Sequence, residues 1–253
     1  MAKPDSSQAT ETLHEIESIF DRAAQWTSQN PVFVLAGTAA VLLLAAGIGG
    51  YEAWRRSAEA SASAEVAKIE AEYLGAMGAK PGTLEILEPA NAEVAAATRR
   101  EYATRLLEAA ERLGGTSAAL GARLHAGGLL AELGDDEGAL AAWRAAAEAA
   151  PRGSTLGALA RTRLGAGLER AGDPAAAAEA YLAAGQVEDY PGRVLALGDA
   201  ARCFADAGQT ARALELFAGL SKEEVAQLPA YVSARLTELR VGAGGAAAPA
   251  AAP

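Results

Sequence analysis

One long apolar segment stands out in a chain whose other parts mix apolar and polar residues at short intervals. No charged side chain occurs between Arg22 and Glu52, and the apolar centre of this segment runs for 20 residues, from Pro31 to Gly50. A helix of that length is about 30 Å long, which matches the hydrocarbon thickness of a bilayer. The pattern therefore predicts one transmembrane helix over residues 31–51.

The residues around this segment indicate an anchor that is not cleaved. Trp26 precedes it, and Tyr51 and Trp54 follow it, at the positions where aromatic rings favour the headgroup level. A signal peptide has a short, positively charged start, whereas the N-terminal tail here is about 30 residues long and mostly acidic. Within that tail, four apolar residues at helical spacing predict a short amphipathic helix. They are Leu13, Ile16, Ile19 and Phe20.

Beyond the apolar segment, three stretches of sequence align on Gly134, Gly172 and Gly208. An alanine follows each glycine by five positions and an aromatic residue by nine, and a small residue precedes it by seven. The alanines are Ala139, Ala177 and Ala213; the aromatics are Trp143, Tyr181 and Phe217; the small residues are Gly127, Gly165 and Ala201. The glycines lie 38 and 36 residues apart, close to the 34 of a tetratricopeptide repeat.

Each such repeat is a pair of antiparallel helices, A and B, that hides its apolar faces only by stacking on its neighbours. The glycine ends helix A, and Asp173 with Pro174 is predicted to cap and start a helix B. The predicted divisions, in chain order, are a tail (1–30), the transmembrane helix (31–51), a linker helix with a diverged helical pair (52–115), three repeats (116–222), a capping helix (223–240) and a disordered Ala/Gly/Pro tail (241–253).

Composition supports an all-α fold and argues against catalysis. Alanine, the strongest helix former, accounts for 68 of 253 residues, so we expect a tetratricopeptide-like helical solenoid tethered by one N-terminal transmembrane helix. A net charge of −10 excludes a generally basic nucleic-acid surface. The single cysteine, Cys203, rules out an intramolecular disulfide, and none of the common catalytic motifs occurs. We therefore expect no enzyme activity, cofactor, metal site or small-molecule substrate.

The candidate binding site is the concave groove that the A helices of a stacked repeat array line. The repeat register places eight residues there, and we expect them to bind a segment of a protein partner. They are Leu124, Gly128, Glu132, Thr162, Glu169, Arg170, Arg202 and Asp206. The alternative for each residue is an ordinary solvated helix face, and the mixed charges argue against a purely hydrophobic groove.

The join between the apolar segment and the repeats reads GIGGYEAWRRSAEASASAEVAKIEAEYLGAM: a glycine-rich helix end, a Trp-Arg pair and a small, acidic helix. This layout resembles the YfgM-like family, single-span bacterial inner-membrane proteins with a periplasmic tetratricopeptide domain, over nearly the whole chain. The resemblance implies a non-enzymatic ancillary subunit of the Sec translocon beside SecYEG and a PpiD-like chaperone. The alanine-rich C-terminal tail departs from what the family leads one to expect.

The resemblance also implies that the N-terminus is cytoplasmic and the repeats are periplasmic. Counting charges gives the opposite orientation, because Arg55 and Arg56 after the segment outweigh Arg22 before it. We favour the periplasmic location, since large domains translocate largely regardless of such a small charge difference. Two alternatives keep the same fold: a cytoplasmic adaptor that recruits partners to the membrane, and a periplasmic scaffold for assembly of the cell envelope.

Overall fold

The computed structural model describes residues 22, 25–79, 89 and 91–246, and these residues form helices and the turns that join them, with no strand among them. The predicted all-α class is confirmed. The predicted amphipathic helix around Leu13, residues 80–88 and the last seven residues of the predicted tail lie outside the described residues. The chain divides into two compact units, Met1–Ser57 and Ala58–Pro253.

The first unit contains the apolar part of a long helix, α1 (Pro31–Ala76). Among the described residues, α1 is the one helix that is long and apolar enough to cross a membrane. Its large apolar side chains pack against nothing: Val32 is 73% exposed and Leu43 is 74% exposed. A helix that exposes apolar side chains all round is suited to a lipid environment rather than to water.

The second unit begins with the charged C-terminal part of α1, which supplies Val66, Ile69, Tyr73 and Met77 to a buried cluster. Nine further helices follow among the described residues, and each is labelled in chain order. They are α2 (Ala92–Arg112), α3 (Ser117–Glu132), α4 (Asp136–Ala149), α5 (Thr155–Arg170), α6 (Pro174–Gly185), α7 (Arg193–Asp206), α8 (Thr210–Ala218), α9 (Lys222–Gln227) and α10 (Ala230–Ala246).

Carboxylates of α1 fix it to the two helices that follow. Glu59 accepts hydrogen bonds from the backbone N–H groups of Ser117 and Ala118 at 3.0 and 3.1 Å, and so caps the N-terminus of α3. Three further ion pairs or hydrogen bonds continue along the same helix. They join Glu65 to Arg112, Glu72 to Arg105 and Glu70 to His125.

From α2 to α8, helices that are consecutive in sequence pack against each other, and α3 also contacts α5. Three of the turns between them are alike. Gly134, Gly172 and Gly208 have φ angles of +75°, +79° and +77°, a left-handed conformation that glycine adopts without steric cost. After Gly134, the Asp135 N–H donates to the Leu130 carbonyl at 2.9 Å, a Schellman closure that recurs after the other two glycines. The predicted ends of the A helices are therefore confirmed.

The B helices begin where the sequence places them. Asp135 and Asp173 accept hydrogen bonds from the backbone N–H groups of Gly138 and Ala176, at 2.9 and 3.0 Å. Pro174 occupies the first turn of α6, where its missing N–H costs no hydrogen bond. The predicted cap at Asp173 is thus confirmed.

The C-terminal region differs from the prediction. The single capping helix expected over 223–240 is two helices, α9 and α10, because the chain is extended at Leu228 just before Pro229. A capping box between Ser221 and Glu224 starts α9. We expect disorder from Val241 on, yet α10 continues to Ala246.

Candidate functional site

The eight predicted binding residues lie on α3, α5 and α7, which we call the A helices; α4, α6 and α8 are the B helices. The A and B helices meet through a small residue and an aromatic ring. A Cβ atom added at Gly127 would lie 2.4 Å from Nε1 of Trp143, and one added at Gly165 would lie 2.9 Å from the ring of Tyr181. In the third pair Ala201 packs in one buried cluster with Phe217. The aligned positions are thus in contact in the first two pairs and share one buried cluster in the third.

The structure brings three of the predicted residues together around one guanidinium. Arg202 binds both carboxylate oxygens of Glu169, at 2.7 and 2.8 Å, and lies 3.6 Å from a carboxylate oxygen of Asp206. Its side chain is only 14% exposed. Two residues that the sequence did not indicate complete the group: Asp199, 3.2 Å from Arg202, and Arg235, 3.0 Å from Asp206.

Burial and charge shape the electrostatics of this group, which we call the Arg202 cluster (Glu169, Asp199, Arg202, Asp206 and Arg235). Hydrogen bonds from Arg202 hold the pKa of Glu169 below its ordinary value. Burial raises the pKa of Asp199, and this effect exceeds the opposing effect of Arg202. Arg202 therefore stabilises the anionic form of Glu169, whereas burial disfavours the anionic form of Asp199.

Aromatic groups and a thiol surround the Arg202 cluster. The hydroxyl of Tyr181 donates to Glu169 at 3.2 Å, and the guanidinium of Arg202 lies 6.0 Å from the ring centre of Tyr231, which is largely exposed. Cys203 is fully buried, and burial raises the pKa of its thiol to about 12. Within the described residues the Nε atom of Arg202 is buried and has no hydrogen-bond partner.

The remaining predicted residues lie in different surroundings. Leu124 is half-buried against Ala146, and its carbonyl accepts a hydrogen bond from Trp143 at 3.3 Å, so it belongs to the core rather than to a free face. The hydroxyl of Thr162 donates to the Ala158 carbonyl at 3.0 Å and also lies 3.1 Å from that of Tyr190. These interactions hold Thr162 in place.

Of the predicted residues, Glu132, Arg170 and Asp206 are exposed, and Gly128 is half-buried but has open space beside it. A Cβ atom added at Gly128 would meet nothing within 4 Å. Glu132 is exposed and pairs with Arg99 at 2.7 Å. Arg170 is exposed and lies over the ring of Trp143, away from the Arg202 cluster.

Sequence reasoning missed the partners of the charged residues, although a signal for them exists. Glu169 and Arg202 are 33 residues apart, and so are Arg99 and Glu132. The Arg202 pair joins one A helix to the next, so an acid and an arginine about one repeat apart indicate neighbouring helices.

Comparison of the chain with protein-family models, with curated proteins and with solved structures gave no match.

Proposed function

We propose that this chain is a membrane-anchored scaffold of the tetratricopeptide type that binds protein partners and carries out no chemistry of its own. One observation carries the proposal: a small residue of an A helix lies beneath an aromatic ring of a B helix in two successive pairs, and in the third pair the two aligned residues share one buried cluster. Repeats that are joined in this way form extended arrays, whose usual role is to bind other proteins. The apolar part of α1 is the membrane anchor.

The partner binds along the accessible part of the A helices. Gly128 leaves open space beside α3, and Glu132 offers an exposed carboxylate one turn further on. The ion pairs of the Arg202 cluster join the A helices α5 and α7, and also join α7 to α10. A rigid face with mixed charge suits a polypeptide segment that has both polar and apolar side chains.

The resemblance to the YfgM-like family suggests where the protein works. On that basis the N-terminus is cytoplasmic, the repeats are periplasmic, and the partners are SecYEG and a PpiD-like chaperone at the bacterial inner membrane. A second candidate, a cytoplasmic adaptor, is favoured by the two arginines directly after the apolar segment, Arg55 and Arg56. The two candidates place the repeats on opposite sides of the membrane.

Protease protection decides between these two candidates. Protease is added to spheroplasts of cells that produce the full chain with an N-terminal tag and a different C-terminal tag. We expect loss of the C-terminal tag and the repeats, with the N-terminal tag protected. Protection of the repeats until detergent is added would contradict the periplasmic location and leave the cytoplasmic adaptor.

Site-specific photocrosslinking tests the binding face. A photoreactive amino acid is placed at Gly128 or Glu132 in the full chain, and at the exposed Glu148 of α4 as a matched control. We expect protein adducts, SecYEG or chaperone subunits among them, from the first two positions and none from the third. Equal adducts at all three positions, or none at any, would contradict binding through the A helices.

A further inference from the structure

The ion pairs of α10 show its place in the array. Arg202 of α7 pairs with Glu169 of α5, the preceding A helix, and Arg235 of α10 pairs with Asp206 of α7. Helix α10 packs against both α7 and α8, just as the A helix α5 packs against both α3 and α4. It therefore follows the α7–α8 pair as an A helix follows the preceding pair, and we align Arg235 with Arg202. By this alignment α10 is a fourth A helix.

Corresponding residues of α7 and α10 differ in burial. Ala201 and Phe204 of α7 are 0% and 1% exposed, because α8 packs on them. The corresponding residues of α10 are Ala234 and Thr237, and both are exposed. Val241, one turn beyond Thr237, is 68% exposed. In the described part of the chain no B helix covers this face of α10.

A groove marks the position that such a B helix would take. It lies between α8, α9 and α10 and has a volume of about 730 Å³. Leu214 and Phe217 of α8 and Val225 of α9 form its apolar wall, and α10 contributes Thr237 and Arg240. Leu214 and Val225 in this wall are only half-buried, so within the described residues they leave apolar surface uncovered.

The charged residues that line the groove are of one sign. Lys222 and Arg240 line it, and no carboxylate is among its lining residues. The whole chain has 32 acidic residues against 22 basic ones, so a groove lined by cations alone runs against the overall charge. An occupant with carboxylates near its apolar face would complement the groove, while a basic one would be repelled.

We propose that this groove is the docking site for one acidic, amphipathic helix of a protein partner, which takes the position of a fourth B helix. The inference uses the repeat register of the proposed function but concerns a different surface. We expect the partner helix to share the sequence pattern of the chain's own B helices. These helices have an alanine five residues after the turn glycine and an aromatic residue nine residues after it. In the first repeat, Asp135, Asp136 and Glu137 precede these two positions.

The test uses the full chain in detergent micelles and a fluorescent peptide of residues 135–151, DDEGALAAWRAAAEAAP, followed by fluorescence anisotropy. We expect saturable binding that the charge reversal Lys222→Glu/Arg240→Glu weakens at least tenfold. Thr237→Trp, which places a bulky ring in the groove at an exposed position, should also abolish binding. The matched control, Arg100→Glu/Arg163→Glu, reverses two exposed arginines outside the groove and should leave affinity unchanged.

Three results would overturn the proposal: no binding up to about millimolar peptide, equal weakening by the two charge reversals, or a dimer of the unmodified chain that Thr237→Trp dissociates. The last result would make a second copy of this chain the occupant. None of these results would affect crosslinks from Gly128 and Glu132, since both residues lie on α3. Failure of this proposal can therefore be told apart from failure of the proposed function.

Discussion

In the first and third helix pairs, different residues fill the space between helix A and helix B. In the first, Gly127 lies against the indole of Trp143, so closely that a Cβ atom would clash at 2.4 Å. In the third, Ala201 packs in one cluster with the smaller ring of Phe217, and both residues are buried. The larger ring, that of Trp143, lies against Gly127, which has no side chain, so the space between the helices is filled in both pairs. The comparison teaches that the repeat keeps a filled volume rather than particular residues.

The largest test of this comparison removes the ring. Trp143 is 4% exposed and lies between α3 and α5, since Cβ atoms added at Gly127 or at Gly167 would both clash with it. We expect Trp143→Ala to lower the free energy of unfolding by about 3–5 kcal/mol. Urea unfolding of the full chain in detergent, followed by circular dichroism, measures this change. A loss below 1 kcal/mol would show that the ring does not hold the helices together.

A second test places the residues of the third helix pair in the first helix pair. Gly127→Ala alone should cost about 1–3 kcal/mol, because the new methyl group overlaps the indole. The double variant Gly127→Ala/Trp143→Phe places the third pair's residues in the first pair. It should regain most of the stability that Gly127→Ala loses, so the two changes should not be additive in a double-mutant cycle. Additive losses would contradict the idea that the two positions share one volume.

The third test concerns the Arg202 cluster. Arg202→Met should cost about 2–3 kcal/mol, because it leaves Glu169 and the buried Asp199 without their charged hydrogen-bond donor. Arg202 lowers the pKa of Glu169 below 4.5, so the stability from this pair is complete above pH 4.5 and is lost as the pH falls below it. Arg202→Met should therefore lose less stability between pH 6 and pH 3.5 than the unmodified chain. An unchanged pH dependence would show that the pair does not contribute.

The smallest expected effect comes from a more exposed ion pair, in which Glu132 of α3 binds Arg99 of α2. Glu132 is 56% exposed on its side chain, whereas Glu169 is 32% exposed and is held by two hydrogen bonds from Arg202. Glu132→Gln should cost at most about 1 kcal/mol, and Glu169→Gln clearly more. Thermal unfolding of the two variants side by side measures the difference. Equal costs would mean that burial does not distinguish the two pairs.

The turns were predictable from sequence because their cause is local. A left-handed glycine and a capping aspartate act within a few residues, so Gly134, Gly172 and Asp173 could be assigned from spacing alone. The small-to-aromatic contacts also followed from the register. Where α10 ends could not be predicted in this way, since alanine and glycine repeats are compatible with both helix and coil.

The site was less predictable because its interactions join distant parts of the chain. The repeat register placed Glu169 and Arg202 on one face, but it gave no indication that they bind each other. Asp199 has no motif of its own, and its role depends on burial beside Arg202. Leu124 was assigned to the groove by register alone, whereas the packing of α4 makes it part of the core.

The fully buried Cys203 has a consequence for the redox chemistry of the chain. A thiol with a pKa near 12 is almost never a thiolate at neutral pH, and the thiolate is the form that reacts with disulfides and oxidants. While the third repeat is folded, its cysteine is therefore inert in an oxidising compartment and in a reducing one. Opening of α7 would expose it, so the rate of alkylation by iodoacetamide reports the local unfolding of this repeat.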